Sequence, residues 1–378
     1  MSGATRALTG VAAVGMLAGA LAGCGSHKNE AAGSAKAKGS GNVEIVLTDD
    51  GCAPKPATVP AGPLTFTVRN DNTNKVSEAE VMAQNRILGE KENLTPGLSG
   101  SFSLRLDAGR YIVNCPNAAT DHATLTVSGA KRADDSKPEL TAAVGSYQRY
   151  VVAEVDKLVP ATDAFVAAVK SGNVARAKAL YAPSRAYYEA VEPVAESFGG
   201  LDPAIDARIN DVADPAHWTG FHRIEKALWQ DHSLAGMTPI ANKLATDVAT
   251  LKQEVATAKL QPAQIANGSV ELLGEVAKSK ITGEEERYSH TDLWDFEANL
   301  DGAHKAFLVL EPALKKAQPQ LAGTITRQFA VVYAALGKYR TAHGFVNYAT
   351  VGAPDRRHLT TVVNALAESL SKVAPAIV

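Results

Sequence analysis

The stretch Gly129-Ala-Lys-Arg-Ala-Asp-Asp-Ser-Lys137 is polar and charged, and the texture of the chain changes across it. Ahead of it the apolar period is two. Leu64-Thr-Phe-Thr-Val68 and Phe102-Ser-Leu-Arg-Leu106 alternate cleanly. Val43-Glu-Ile-Val-Leu-Thr48, Tyr111-Ile-Val113 and Thr124-Leu-Thr-Val127 are further short runs, separated by turn residues such as Asp49-Asp-Gly51, Pro60-Ala-Gly62 and Pro96-Gly97. Side chains two apart share a strand face, so this pattern predicts a small antiparallel sandwich or barrel over residues 42–129. After the linker (130–137), residues 138–378 are rich in Ala, Leu, Val, Glu and Lys at helical spacing. Leu244, Val248, Leu251 and Val255 line one helix face, and Leu359, Val362, Leu366, Leu370 and Val373 another. Thr238-Pro239 reads as a helix cap followed by Pro at the first helical position. The expectation is an all-α bundle of seven to nine helices without strands.

The chain's 378 residues exceed one typical core, which agrees with two domains. With 46% hydrophobic and 21% charged residues it is an ordinary globular composition. Lys+Arg is 38 and Asp+Glu is 40. That balance offers no positive field for a phosphate backbone, so nucleic acid is not an expected partner. Three cysteines exclude a disulfide-dense scaffold and cysteine-rich zinc modules.

The first residues differ in kind. A weakly basic start (Arg6) precedes an apolar run from Leu8 to Ala22 that ends Leu21-Ala22-Gly23-Cys24. This is the layout of an export signal, and a Cys directly after L-A-G resembles the bacterial lipobox. Residues 1–23 are therefore expected to be removed and Cys24 lipidated. The small polar residues that follow make 24–41 a flexible tether. The expected location is the outer face of the cell membrane, with the body held there by lipid.

Three segments of the helical half concentrate chemistry. In Gly220-Phe-His-Arg-Ile-Glu225, His222 and Glu225 stand three apart, which places an imidazole and a carboxylate on one helix face. Such a pair grips a cation or is a plain surface pair. Gly220 removes a side chain where something approaches closely. In Tyr188-Glu-Ala-Val-Glu-Pro193, Glu189 and Glu192 repeat the spacing, and like charges so placed repel unless something positive lies between them. In Tyr288-Ser-His-Thr-Asp-Leu-Trp-Asp-Phe296, Asp292 and Asp295 do the same, with Ser289 or Thr291 as alternative helix caps. In the β half, Cys52 and Cys115 are either a disulfide or metal ligands. Within the β half Cys115 is followed by His122 but by no Met, Met82 being the only one there, so an electron-transfer copper centre is not encoded.

Taken in order, the three helical segments resemble the imelysin-like family. They are most similar to its members that carry a cupredoxin-like domain ahead of the helical one and act as extracytoplasmic components of iron-uptake systems. The likeness covers nearly the whole chain after the leader. It implies a cupredoxin-like β domain, an imelysin-like helical domain, and an iron site built from Glu189, Glu192, Asp206, His222 and Glu225, with Tyr288 and Asp292 as ligands or supports. For the β domain it implies a copper or iron site from Cys52, Cys115, Glu78 and Glu90, with Glu92 as the alternative to Glu90 and Glu80 as the alternative to Glu78. The partners it implies are an iron permease and a haem peroxidase of the same system. Members of the family are also described as metallopeptidases. Zinc hydrolysis of that kind uses His-Glu-x-x-His, which this chain lacks, so binding is expected over catalysis.

Overall fold

The computed structural model describes residues 41–84, 86–129, 137–212 and 214–377. The expected leader, Cys24 and most of the tether lie outside the described residues, as does most of the linker.

Nine strands form the N-terminal body: β1 (Gly41–Leu47), β2 (Pro54–Lys55), β3 (Thr58–Pro60), β4 (Gly62–Asn70), β5 (Ala79–Ala83), β6 (Arg86–Lys91), β7 (Ser99–Leu106), β8 (Gly109–Asn114) and β9 (His122–Ser128). They make two sheets, ordered β2-β1-β4-β7 and β3-β9-β8-β5-β6. The alternation puts Leu64, Phe66 and Val68 of β4 into the core beside Val43, Ile45 and Leu47 of β1. Phe66 stacks on Phe102 across β4 and β7 with ring centroids 4.9 Å apart, a pairing worth about 1 kcal/mol beyond area burial. The sandwich is mixed rather than antiparallel, because β1 pairs β4 and β3 pairs β9 in parallel. The chain leaves the first sheet after β2, adds β3 to the second, and returns to lie beside β1 in the same direction.

The C-terminal body contains α1 (Pro138–Lys170), α2 (Val174–Glu189), α3 (Leu201–Asp206), α4 (Gly220–Trp229), α5 (Met237–Thr257), α6 (Pro262–Lys278), α7 (Asp292–Ala317), α8 (Pro319–Gly337), α9 (Ala353–Leu370) and α10 (Val373–Ile377). Short 3₁₀ turns add to these, among them Glu192–Phe198 and Lys280–Thr282. The long α1 packs against α2, α5 and α7. Leu244, Val248, Leu251 and Val255 are buried as their spacing requires. Four details differ from the expectation, the first being ten α-helices among the described residues where seven to nine are expected. A two-residue hairpin pairs Arg340–Thr341 with Gly344–Phe345. α5 starts at Met237 after Gly236, whose φ of +76° makes the turn, and Thr238 does not cap it. On α9 Val363 is buried, whereas Val362 is only partly so.

The two bodies meet mainly along α6, with one ion pair from α5. Gln264 Nε2 donates to Ile87 O at 3.1 Å and Asn267 Nδ2 to Ser103 O at 2.8 Å. Arg86 pairs with Glu254 at 2.5 Å, and Lys91 pairs with Glu271. These bonds hold a β-domain wall opposite the helices that carry the site described next.

Candidate metal centre

His222 and Glu225 leave the first turns of α4 on one face, as the three-residue spacing requires. Nδ1 of His222 lies 3.3 Å from Glu225 Oε2. The other carboxylate oxygen of Glu225 accepts from the N–H of Tyr288 at 2.9 Å and of Ser289 at 2.7 Å. Burial raises the pKa of Glu225, but the hydrogen bond and charge of His222 and the two N–H donors hold it below the usual range.

Gly220 begins α4 with φ +85°, and a Cβ there would lie 2.2 Å from the carbonyl oxygen of Ile205. The close approach foreseen at Gly220 is therefore with the end of α3, and it brings Asp206 beside His222. Nε2 of His222 is 3.7 Å from Asp206 Oδ1 and 3.6 Å from Glu285 Oε1, and it has no hydrogen-bond partner. His222 is 1% exposed. Burial and Arg185 push its pKa down, while the neighbouring carboxylates Glu225, Glu285 and Glu286 push it up, and the net shift is upward. Asp206, His222 and Glu285 converge as one potential cation-binding group, and His222, Glu225 and Glu286 as another.

Two buried cations share this region. Arg185 of α2 contacts Glu189 at 2.5 Å, Glu285 and Glu286 at 2.7 Å, and also Asp206. Lys280 reaches Glu192 at 2.6 Å, Glu189 at 3.2 Å and Glu285 at 3.6 Å. The positive charge that the Glu189/Glu192 spacing calls for is thus the ammonium of Lys280. These two carboxylates, joined also by Asn299 Nδ2 at 2.8 and 2.6 Å, do not touch His222 and connect to it through Lys280 and Glu285 and, from Glu189, through Arg185. Burial raises Glu285, but Lys280, His222, Arg208 and Arg185 hold it well below the usual carboxylate range. Burial and Glu225 push Glu286 up to about 8, and burial lifts Asp292 to about 7. Glu189, Glu225 and Glu285 therefore keep their charge in a dry interior, each beside a buried cation of the chain: Arg185 and Lys280 for Glu189 and Glu285, and His222 for Glu225.

Tyr288 contributes its backbone N–H to the centre. Asp292 Oδ1 accepts from Glu286 N at 3.3 Å, and Oδ2 is unpaired. Ser289 hydrogen-bonds Glu286 at 2.6 Å, and the Thr291 side chain makes no cap. Glu285, Glu286, Arg185 and Lys280 were not singled out from sequence. The run Glu284-Glu-Glu-Arg287 directly before Tyr288 is the one signal that pointed to the first two.

In the β domain Cys52 and Cys115 form a disulfide with Cα atoms 6.3 Å apart. Both sulfurs are committed to each other in the core, so neither is a thiolate ligand, and the four-residue set with Glu78 and Glu90 is not assembled. Among the described residues no convergent group of three potential ligands includes either cysteine. Glu78 and Glu90 instead face a cleft of about 680 Å³ between the sandwich and the helices. Its other acidic residues include Glu92, Glu192, Glu196, Asp202, Asp206, Glu271, Glu275 and Glu285, with Arg208 as the one basic residue among the described residues that line it. Glu90, Glu92 and Glu196 converge across it. Burial and neighbouring carboxylates push Glu78 up to about 7 and Glu90 up to about 8. Glu80 accepts from Asn114 Nδ2 at 2.9 Å. Asp206 and Glu285 line the cleft, so the centre around His222 opens into it.

Comparison with known proteins agrees with both halves. The family model described as Imelysin matches residues 143–373, and the Cupredoxin-like domain model matches residues 14–127. The protein named "Iron uptake system component EfeO" from Escherichia coli K12 is 41% identical over 339 residues, spanning 88% of this chain and 90% of the relative. The protein of the same name from Shigella flexneri matches to the same extent. The chain belongs to the imelysin family, and it carries a cupredoxin-like domain ahead of its imelysin domain.

Proposed function

We propose that this chain is the lipid-anchored, extracytoplasmic iron-binding component of an EfeUOB-type uptake system. It takes iron at the cluster around His222 and passes it to a membrane permease, with a haem peroxidase of the same system as a further partner. The observation that carries this reading is the unpartnered Nε2 of a buried His222 set between Asp206 and Glu285. One imidazole with several carboxylate oxygens is a donor set for iron rather than for a thiolate-seeking metal. The acidic cleft supplies the electrostatic attraction that draws a cation toward it. The relatives' name points the same way.

The structure gives a peptidase little to work with. Each convergent group has at most one imidazole, and the carboxylate beside His222 already accepts two backbone N–H groups, so it is poorly placed to activate water. Among the described residues no helix is long and apolar enough to cross a membrane, which leaves anchoring to Cys24 in this reading.

The test is anaerobic Fe²⁺ calorimetry on the full mature chain. His222→Gln is expected to weaken binding by about a hundredfold or more while circular dichroism stays unchanged. Equal affinity in the variant overturns the site. In cells, Cys24→Ala is expected to release the protein from membranes, and continued membrane retention removes the anchor from the reading.

A further inference from the structure

The two members of the His222-x-x-Glu225 pair stand in different circumstances. Both oxygens of Glu225 are already engaged. Oε2 faces His222 Nδ1 at 3.3 Å, and Oε1 takes the N–H groups of Tyr288 and Ser289. His222 is the opposite case, with one ring nitrogen engaged and the other buried and unpartnered. The separations from Nε2 to Asp206 Oδ1 and Glu285 Oε1, 3.7 and 3.6 Å, are too long for hydrogen bonds. They lie within a few tenths of an ångström of the spacing of neighbouring ligand atoms around one ion, since metal–ligand bonds of about 2.1 Å put such atoms about 3.0–3.5 Å apart.

We propose that Glu225 is a positioning residue rather than a ligand: it keeps the proton on Nδ1 of His222, and so presents the Nε2 lone pair to a cation shared with Asp206 and Glu285. This rests on the reading of the cluster as an iron centre. The physics is that of tautomers. A neutral imidazole carries one N–H, and the nitrogen that keeps it is the one beside the stronger acceptor. A carboxylate only accepts, so the proton facing Glu225 belongs to the ring. The hydroxyl of Tyr181, 3.4 Å from the same nitrogen, gives its proton to Glu286 Oε1 at 3.1 Å and so does not supply Nδ1 with a competing donor. The family's paired motif then divides into one residue that touches the metal and one that orients it. The second and third metal contacts come from α3 and from the loop before α7, which are far apart in the chain.

The test combines two readouts on the full mature protein. The first is a long-range ¹H–¹⁵N correlation spectrum of the histidine rings in metal-free protein, recorded above the titration of His222, whose signal is the one missing in His222→Gln. The expected spectrum shows the ring protonated at Nδ1. Protonation at Nε2 overturns the proposal without any variant having to fold. The second is anaerobic Fe²⁺ titration of Glu225→Gln, Asp206→Asn and Glu285→Gln. Glu225→Gln is expected to shift the ring proton toward Nε2 and weaken Fe²⁺ binding about 10- to 100-fold. The other two are expected to weaken binding and leave the tautomer unchanged. A Glu225→Gln protein that loses affinity with its ring proton unmoved makes Glu225 a ligand and sinks the assignment. A wild-type protein with the expected tautomer and no Fe²⁺ affinity defeats the iron reading and, with it, the metal half of this proposal, and leaves the hydrogen-bond half standing.

Discussion

Gly220 and Ile205 touch backbone to backbone: a Cβ on Gly220 would lie 2.2 Å from the Ile205 carbonyl oxygen, and Gly220 has φ +85°. This contact sets the distance between Asp206 and His222, which sit one and two residues away from it. Gly220→Ala has to both strain the backbone and push α3 from α4. The expected result is a loss of about 1–3 kcal/mol in urea unfolding, together with weakened Fe²⁺ binding. A stable variant with unchanged affinity shows that Asp206 does not need this contact to reach the ion.

Lys280 is 1% exposed and holds Glu189, Glu192 and Glu285 together. Lys280→Met leaves Glu192 without its buried partner and Glu189 and Glu285 with only their arginine contacts, and breaking a buried pair from one side costs about 3–5 kcal/mol. Adding Glu192→Gln to Lys280→Met replaces a buried carboxyl that has lost its ammonium partner and is expected to restore part of that loss. Denaturant midpoints of the wild type, both single variants and the double variant give the coupling directly. Additive effects show that Lys280 is not the counter-ion of Glu192.

The acidic cleft makes stability depend on pH in an unusual direction. Glu90 titrates at about 8 and Glu78 at about 7 in the folded chain, against 4.5 for the free group, chiefly because burial disfavours their charged forms. Between those values the folded state holds more protons than the unfolded state, so stability falls as pH rises. The melting temperature of metal-free protein is expected to be higher at about pH 5.5 than at about pH 8.5, and Glu90→Gln to flatten that slope. Stability that climbs steadily toward alkaline pH contradicts this account.

Much of this architecture was legible because it follows from periodicity. The alternation in Leu64–Val68 marked a buried face, and His222/Glu225 had to share a helix side. What stayed hidden depends on neighbours that the local pattern does not record. Alternation registers burial but not the direction of the adjacent strand, so the parallel β1–β4 pair was missed. Glu284-Glu-Glu-Arg287 has the composition of a solvated run, yet Glu285 and Glu286 are 3% and 0% exposed. Arg185 and Lys280 escaped notice for the same reason, since a buried cation and a surface one are spelled alike. Glu189 and Glu192 were recognised as needing a positive charge, but sequence could not say that the chain itself provides it.

Cys52 and Cys115 close a loop across 63 positions, and both sit in the sandwich core. Cross-linking a loop of this length removes unfolded-state entropy worth about 4 kcal/mol in the chain-entropy picture. Thiol labelling of unreduced, denatured mature protein is expected to find neither cysteine. Cys52→Ala/Cys115→Ala is expected to lower the stability of the β domain by an amount of that order and to leave Fe²⁺ affinity at the His222 centre unchanged, because that centre contains no sulfur. If the double variant keeps its stability and instead loses a bound metal, the sulfurs are ligands and the disulfide assignment fails.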